Sequence, residues 1–164
     1  DWRDTGPLTT DGQFEIHSNM PVRGVATSGW RGRSFSLGIA DSVTVLAGTA
    51  AQADAAATLI ANAVDVQDAG IHRRPASECK DDSDLGDIPV TVDVGTLAPS
   101  KVHRALDAGV ERAEALQRLG LVASAVLVCQ GQWRVVQPLS SGFPGALPQG
   151  QGGIAADAVG SVFA

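Results

Sequence analysis

Residues 99–136 read PSKVHRALDAGVERAEALQRLGLVASAVLVCQGQWRVV, and this stretch decides the fold class. Apolar residues recur at helical spacing until Gly120 ends the pattern, at Val102, Leu106, Val110, Ala113 and Leu116. The unbroken apolar run 121–129 predicts a buried strand, and the turn residues 130–132 predict a hairpin with a return strand over 133–136. A helix followed directly by a hairpin favours an α+β fold, with helices packed on a mixed or antiparallel sheet, over an open doubly wound sheet.

A further strand is predicted just before this stretch. Residues 88–94 alternate at period two, with the valines on one face and Thr91 and Asp93 on the other. We expect this strand to share one sheet with segments 121–129 and 133–136.

Two strands and a second helix are predicted earlier in the chain. Residues 21–29 begin as a strand and end in a loop of small hydroxylated residues, and the β-branched run 42–46 indicates a buried strand. Thr49 and Gln52 have the spacing of a capping box, which predicts a helix from Thr49 to about Val64. Because that helix is apolar nearly all round, we expect it to be buried on several sides.

The remaining segments are polar or low in complexity. Residues 13–17 alternate weakly and favour an edge strand, whereas residues 65–87 are typical of a long polar loop. From residue 138 onward Gly, Pro, Gln and Ala dominate, and we expect a poorly ordered tail. The expected organisation is therefore one domain over residues 1–137 and a tail over residues 138–164.

Composition argues against several classes of protein. A net charge of -6 and 4% aromatic residues, with no Tyr, oppose nucleic-acid binding. No apolar run reaches the roughly 18 residues of a membrane span. Cys79 and Cys129 lack partners at metal-ligand spacing, so reduced thiols and a cytoplasmic location are expected. Because the chain begins at Asp1 rather than Met, we also expect an upstream portion to be missing.

The Ala-rich helix carries a candidate metal site. Asp54 and Thr58 are four residues apart, so their side chains project from the same helix face about one turn from each other. A carboxylate and a hydroxyl suit Mg²⁺, which keeps several positions for water and substrate phosphates. The alternative interpretation makes Asp54 a helix-start residue favoured by the dipole and Thr58 a tolerated core hydroxyl.

A candidate anion-binding loop follows the first strand. Thr27, Ser28 and Gly29 precede two cations, Arg31 and Arg33, within seven residues. Hydroxyls, exposed backbone N–H groups and guanidinium groups together favour a diphosphate. The alternative is an ordinary strand-to-loop corner with solvated arginines, which is the commoner role of such tripeptides.

Other reactive residues predict no site of their own. The acidic run 81–87 lacks the alternation of a calcium-binding loop. His17, His72 and His103 are isolated from one another in sequence, which favours surface roles. Cys129 lies in an apolar strand, where a thiol behaves as a small hydrophobic group.

Three motifs in order resemble the ApbE-like superfamily: VATSG at 25–29, SVTVLA at 42–47 and ADAAAT at 53–58. The fuller stretch, about residues 20–130, is similar to an uncharacterised sister family of ApbE. The resemblance implies the carboxy-terminal part of an ApbE-like fold. It also implies binding of FAD with Mg²⁺ and, in active members, transfer of FMN to a Thr or Ser hydroxyl of a protein.

The resemblance assigns Mg²⁺ contact to Asp54 and Thr58, and places Thr27, Ser28 and Gly29 near the flavin nucleotide. It implies as partners a flavin nucleotide, an amino-terminal portion of the same protein, an acceptor protein and a second copy of the chain. The interval WRGRSFSLGIAD at 30–41 departs from the family because it lacks the His-x-x-Asp-Pro segment of ApbE. Two hypotheses follow. The first is a Mg²⁺-assisted flavin- or nucleotide-binding protein of ApbE-like fold, with or without FMN transferase activity. The second is a noncatalytic binding or assembly protein that retains the fold.

Overall fold

A computed structural model of the protein describes Ile16, Ser18 and residues 20–80 and 83–138. In these residues the elements follow in the order β1 (Gly24–Ser28), β2 (Ser42–Ala47), α1 (Ala50–Ala63), β3 (Ile71–Pro75), α2 (Ala76–Cys79), β4 (Pro89–Val94), α3 (Pro99–Arg118), β5 (Ser124–Cys129) and β6 (Gln132–Val136). The predicted α+β class is confirmed. The expected edge strand at 13–17, apart from Ile16, and the expected tail after Pro138 lie outside the described residues.

The larger sheet has four antiparallel strands in the order β1-β2-β5-β6. Strand β2 lies in the middle, with Thr44 opposite Thr27 on β1 and opposite Val126 on β5. β5 and β6 form the predicted hairpin, in which Cys129 pairs with Gln132. Gln130 and Gly131 both have positive φ, 47° and 74°, which gives the turn the twist that a two-residue hairpin requires.

The expectation that segment 88–94 joins this sheet is wrong. β4 pairs instead with β3 in a separate two-stranded sheet. The predicted loop over 65–87 is also wrong, because β3 and the short helix α2 lie within it. β3 reads IHRRP and buries little besides Ile71, so its sequence has the polarity of a loop even though its backbone forms a ladder with β4.

The two faces of β4 also differ from the prediction. Thr91 is 4% exposed, whereas Val92 is 37% exposed. The Thr91 backbone N–H donates to Ser36 O at 2.8 Å and its hydroxyl donates to Leu37 O at 3.2 Å. These two bonds satisfy the buried threonine, so a polar residue occupies the position that alternation assigned to solvent.

The core lies between the four-stranded sheet and the helices α1 and α3. Val43, Val45 and Leu127 project from the sheet into this layer and are fully buried. Helix α3 has the predicted apolar face and ends close to Gly120, whose φ is +72°. At Gly109 in its middle, an added Cβ would lie 2.6 Å from Leu127 Cδ2 and would overlap Val64 Cγ2. The absence of a side chain there lets α3 approach both α1 and the sheet.

Helix α1 begins where the capping residues predicted. The Thr49 hydroxyl oxygen accepts a hydrogen bond from the Gln52 backbone N–H at 3.2 Å. The Gln52 side-chain oxygen accepts a hydrogen bond from the Thr49 hydroxyl at 3.2 Å. The second bond of the capping box therefore joins the two side chains, whereas the usual box bonds the Gln52 side chain to the backbone N–H of the capping residue. The expectation of burial on several sides is wrong, since α1 buries one face of small residues and exposes Leu59 at 42%.

Candidate nucleotide and metal site

The candidate anion-binding loop is a tight turn fixed to the start of β2. The Trp30 backbone N–H donates to Ala40 O at 3.0 Å, and the Gly32 N–H donates to Gly29 O at 3.1 Å. A Cβ at Gly29 would lie 2.9 Å from Ala40 O and would overlap the Asp41 carbonyl. The glycine of the TSG motif is therefore required by the close approach of the loop to the chain before β2.

The two arginines of this loop have different surroundings. Arg31 Nε lies 3.0 Å from Asp41 Oδ1, and the side chain of Arg31 is 65% exposed. Its guanidinium group also lies over the Trp30 ring, 5.1 Å from the centroid, a cation–π arrangement. Arg33 is exposed and forms no ion pair within the described part of the chain. Both cations therefore face solvent beside the turn.

The structure separates the hydroxyls of Thr27 and Ser28. Consecutive residues of a strand project to opposite faces of the sheet. The Thr27 hydroxyl lies 2.9 Å from that of Thr44, on the face away from α1 and α3, because Val43 and Val45 project into the core. Ser28 projects toward the helix side and is half-buried. The two hydroxyls therefore do not converge on a single ligand position.

Asp54 and Thr58 lie together on the exposed face of α1. Thr58 Oγ1 donates to the backbone oxygen of Asp54 at 3.1 Å. The Asp54 carboxylate has no hydrogen-bond or ion-pair partner in residues 16–138 as far as they are described. Asp54 lies beyond the first turn of the helix, which contains no acidic residue, and neither residue is buried. The alternative interpretation required Asp54 in the first turn of the helix and Thr58 in the core, and neither residue lies there.

This donor set fits Mg²⁺. The carboxylate is solvent-accessible, and the Thr58 proton is committed to a carbonyl, which leaves a hydroxyl lone pair for a cation. Two protein oxygens leave the remaining octahedral positions to water and phosphate oxygens, as is usual for this ion. Across the described residues no group of three or more His, Cys, Asp or Glu side chains forms a second candidate metal site.

Sequence reasoning missed the residues that hold the anion-binding loop. Besides Arg31, the Asp41 carboxylate accepts a hydrogen bond from the Gln130 backbone N–H at 2.5 Å. The Gln130 amide in turn donates to Gly95 O at 2.7 Å and accepts from the Leu97 N–H at 3.1 Å. Asp41 precedes a strand and Gln130 follows one, and both have turn residues beside them. Nothing in their local sequence indicates that the two residues contact each other.

The thiols have the states that their positions predicted. Both are free; Cys79 is exposed and Cys129 is buried. Burial, with a smaller contribution from the nearby Asp41 carboxylate, raises the pKa of the Cys129 thiol to about 12. Cys129 is therefore a packing residue with no thiolate to act as a nucleophile. His72 and His103 lie on the surface in separate parts of the fold.

Residues 4–135 match the model of a protein family described as AbpE bacteria. The chain belongs to this family. The matched region includes the TSG loop, the Asp54–Thr58 pair and the described strands up to residue 135 of β6. The description of the AbpE family is in keeping with the ApbE kinship that the motifs indicated. No curated protein and no solved structure matches the chain. Among the described helices of this AbpE family member, none has the length and apolar character needed to cross a membrane.

Proposed function

We propose that this protein binds a flavin nucleotide, FAD, together with Mg²⁺. The observation that carries the proposal is the pair on α1: an exposed Asp54 carboxylate without a partner among the described residues, with the Thr58 hydroxyl one turn away. Asp54 caps no helix end, and its carboxylate is accessible to a cation. Cation binding gives both oxygens a role.

The loop at 29–33 supports the nucleotide part of the proposal. It presents two guanidinium groups and a glycine turn to solvent at the end of β1. The Nη groups of Arg31 and Arg33 suit phosphate oxygens, since guanidinium groups donate paired hydrogen bonds to them. The Thr27 hydroxyl lies 2.9 Å from that of Thr44 and projects to the other sheet face from Ser28, so the proposal assigns the phosphate contacts to the two arginines.

In transfer of FMN to a protein hydroxyl, the bond between the FMN phosphorus and the bridging oxygen breaks, and bound Mg²⁺ would offset the negative charge that develops on the departing AMP. Asp54 and Thr58 would hold the ion, and the loop would orient the phosphates. Transfer also needs a group that accepts the proton of the attacking hydroxyl. The interval 30–41 supplies no His, and its carboxylate, Asp41, is paired with Arg31. That observation favours a second candidate function, nucleotide binding without transfer.

Thermal melting with FAD and Mg²⁺ tests the binding proposal. The wild type should gain stability with both ligands present, and Asp54→Asn should weaken metal-dependent FAD binding by about 1–3 kcal/mol, the scale of one hydrogen bond to a charged group. Thr58→Val should weaken it less. Asp107→Asn, which removes an exposed carboxylate of α3 together with its ion pair to Arg134, serves as the charge-matched control. Equal ligand-induced shifts in all four proteins would eliminate the metal site.

Release of AMP separates the two functions. A transferase incubated with FAD, Mg²⁺ and an acceptor peptide containing Thr and Ser releases AMP, and the flavin becomes covalently attached to the peptide. A binding protein gives the same thermal shift and releases none. Detection of AMP above the level given by Asp54→Asn would contradict the noncatalytic alternative.

A further inference from the structure

We propose that Asp41 is a positioning residue for the nucleotide loop, which orients Arg31 so that its Nη nitrogens face a bound phosphate. The inference rests on the proposed nucleotide-binding function and deepens it, because it assigns the phosphate contact to a guanidinium group whose direction is fixed before the ligand arrives. Asp41 itself touches no ligand in this arrangement.

The contact between Asp41 and Arg31 uses one edge of the guanidinium group. The Arg31 atom closest to the carboxylate is Nε, at 3.0 Å from Oδ1. Guanidinium carries five N–H donors, of which Nε supplies one and the two Nη nitrogens supply four. Neither Nη donates a hydrogen bond to the described residues, and the side chain is 65% exposed. The paired Nη donors are the edge that phosphate recognition uses.

A second contact keeps the guanidinium plane in place. The Arg31 guanidinium carbon lies 5.1 Å from the centroid of the Trp30 ring. Arg31 is thus held by two contacts, a carboxylate near Nε and the Trp30 ring under its guanidinium carbon. A free arginine on a surface loop loses rotamer entropy when it binds a ligand. Fixing its direction in advance removes part of that cost.

The other carboxylate oxygen of Asp41 connects the loop to the rest of the fold. Oδ2 accepts the Gln130 backbone N–H at 2.5 Å, and the Gln130 side chain bonds to Gly95 O and to the Leu97 N–H. Asp41 therefore links the turn after β1, the β5–β6 turn and the segment before α3. A residue that only balanced the charge of Arg31 would not need this second attachment.

The substitution Asp41→Asn distinguishes a positioning role for Asp41 from a purely electrostatic one, because the two roles predict opposite changes in phosphate affinity. Asp41→Asn removes a negative charge beside an anion-binding loop, and Coulomb attraction alone then predicts tighter phosphate binding. Positioning predicts weaker binding, because the neutral amide no longer holds Nε by an ion pair. Asn retains an oxygen for the Gln130 N–H, so the contact with the β5–β6 turn survives and the fold is preserved.

A ligand-free measurement tests whether Asp41 holds the loop. In a Trp2→Phe, Trp133→Phe background, Trp30 is the sole tryptophan, and acrylamide quenching of its fluorescence reports access to the ring beneath Arg31. We expect Asp41→Asn and Arg31→Lys to raise the quenching constant at least twofold, and the Asp107→Asn control to leave it unchanged. Equal quenching in all these variants overturns the inference.

Binding of FAD with Mg²⁺ and of inorganic pyrophosphate completes the test. We expect Asp41→Asn and Arg31→Lys each to weaken both ligands about tenfold, which corresponds to 1.4 kcal/mol. The double variant should lose little more than either single variant, because both changes break one interaction. Tighter binding by Asp41→Asn, or additive losses, overturns the inference.

The two ligands distinguish this inference from the proposed function. If the wild type binds pyrophosphate but not FAD, the proposed flavin function fails, and the effect of Asp41→Asn on pyrophosphate decides the positioning role. If FAD binds and Asp41→Asn binds it as well as the wild type, the flavin function stands and the positioning role fails. Binding of neither ligand by the wild type overturns both.

Discussion

Replacement of Gly109 by Ala tests how closely helix α3 approaches its neighbours. The new Cβ would lie 2.6 Å from Leu127 Cδ2 and would overlap Val64 Cγ2, whereas carbon atoms in contact are normally about 3.5–4.0 Å apart. Both neighbours are fully buried, so neither side chain can turn into solvent. Relief of the overlap therefore requires a shift of packed groups in the core.

Two opposing contributions set the magnitude. Ala in the middle of a helix is favoured over Gly by about 1 kcal/mol. Overpacking of a well-packed core costs about 1–3 kcal/mol. Because two separate overlaps occur here, we expect the packing cost to lie toward the upper end of this range. Gly109→Ala should then lower the free energy of unfolding by about 1–2 kcal/mol.

Urea denaturation followed by far-UV circular dichroism measures this change. A Val64→Ala background provides the control, since it removes the γ-methyl group that the new Cβ overlaps. In that background Gly109→Ala should cost less than in the otherwise unchanged protein, because only the overlap with Leu127 Cδ2 remains. An increase in stability on Gly109→Ala in the otherwise unchanged protein would refute the close approach of α1 and α3.

Three further predictions concern single contacts. Ellman's reagent at pH 8 should label Cys79 rapidly and Cys129 only after unfolding, because the pKa of the Cys129 thiol is raised to about 12 by burial; fast labelling of both would contradict the burial. The hydrogen bond with Lys101 lowers the pKa of Asp68, so the stability that it contributes is present above the unfolded pKa and lost as the pH falls below about 4. Lys101→Met should therefore reduce the pH dependence of stability in acid, measured by urea denaturation at several pH values, and an unchanged profile would argue against the pair. Thr49→Ala should lower the unfolding free energy by about 1 kcal/mol through loss of the helix cap, and a change below the error of the urea titration would show that the cap is unimportant.

The elements that were predicted correctly depend on short-range patterns. Helix α3 follows from apolar spacing that ends at Gly120, and the start of α1 follows from the hydroxyl of Thr49. β3 was missed because only its backbone pairing, and not its side chains, distinguishes it from a loop. Alternation identified β4 as a strand but carries no information about its partner, since pairing is decided by contacts distant in sequence.

The candidate site divides in the same way. The spacing of Asp54 and Thr58 predicted a common helix face, and the structure gives them one. The TSG motif alone could not reveal that Thr27 and Ser28, at the end of β1, project to opposite faces of the sheet. Asp41 went unnoticed because its partner Gln130 lies on another hairpin, and a carboxylate next to a strand has the same local sequence whether it is solvated or paired.

The strand order β1-β2-β5-β6 has a consequence for how the chain folds. The β1–β2 and β5–β6 pairs join segments close in sequence, but the pairing of Ser42 with Val128 closes a loop of about 85 residues. Formation of that central pair should therefore limit the folding rate. During synthesis at about 5–20 residues per second, β2 remains unpaired on its β5 side for several seconds after it emerges. In that interval, among the described elements already synthesised, β1 and the buried face of α1 are the native neighbours of Val43 and Val45, so the β1-β2-α1 unit is the first part of the core that can pack.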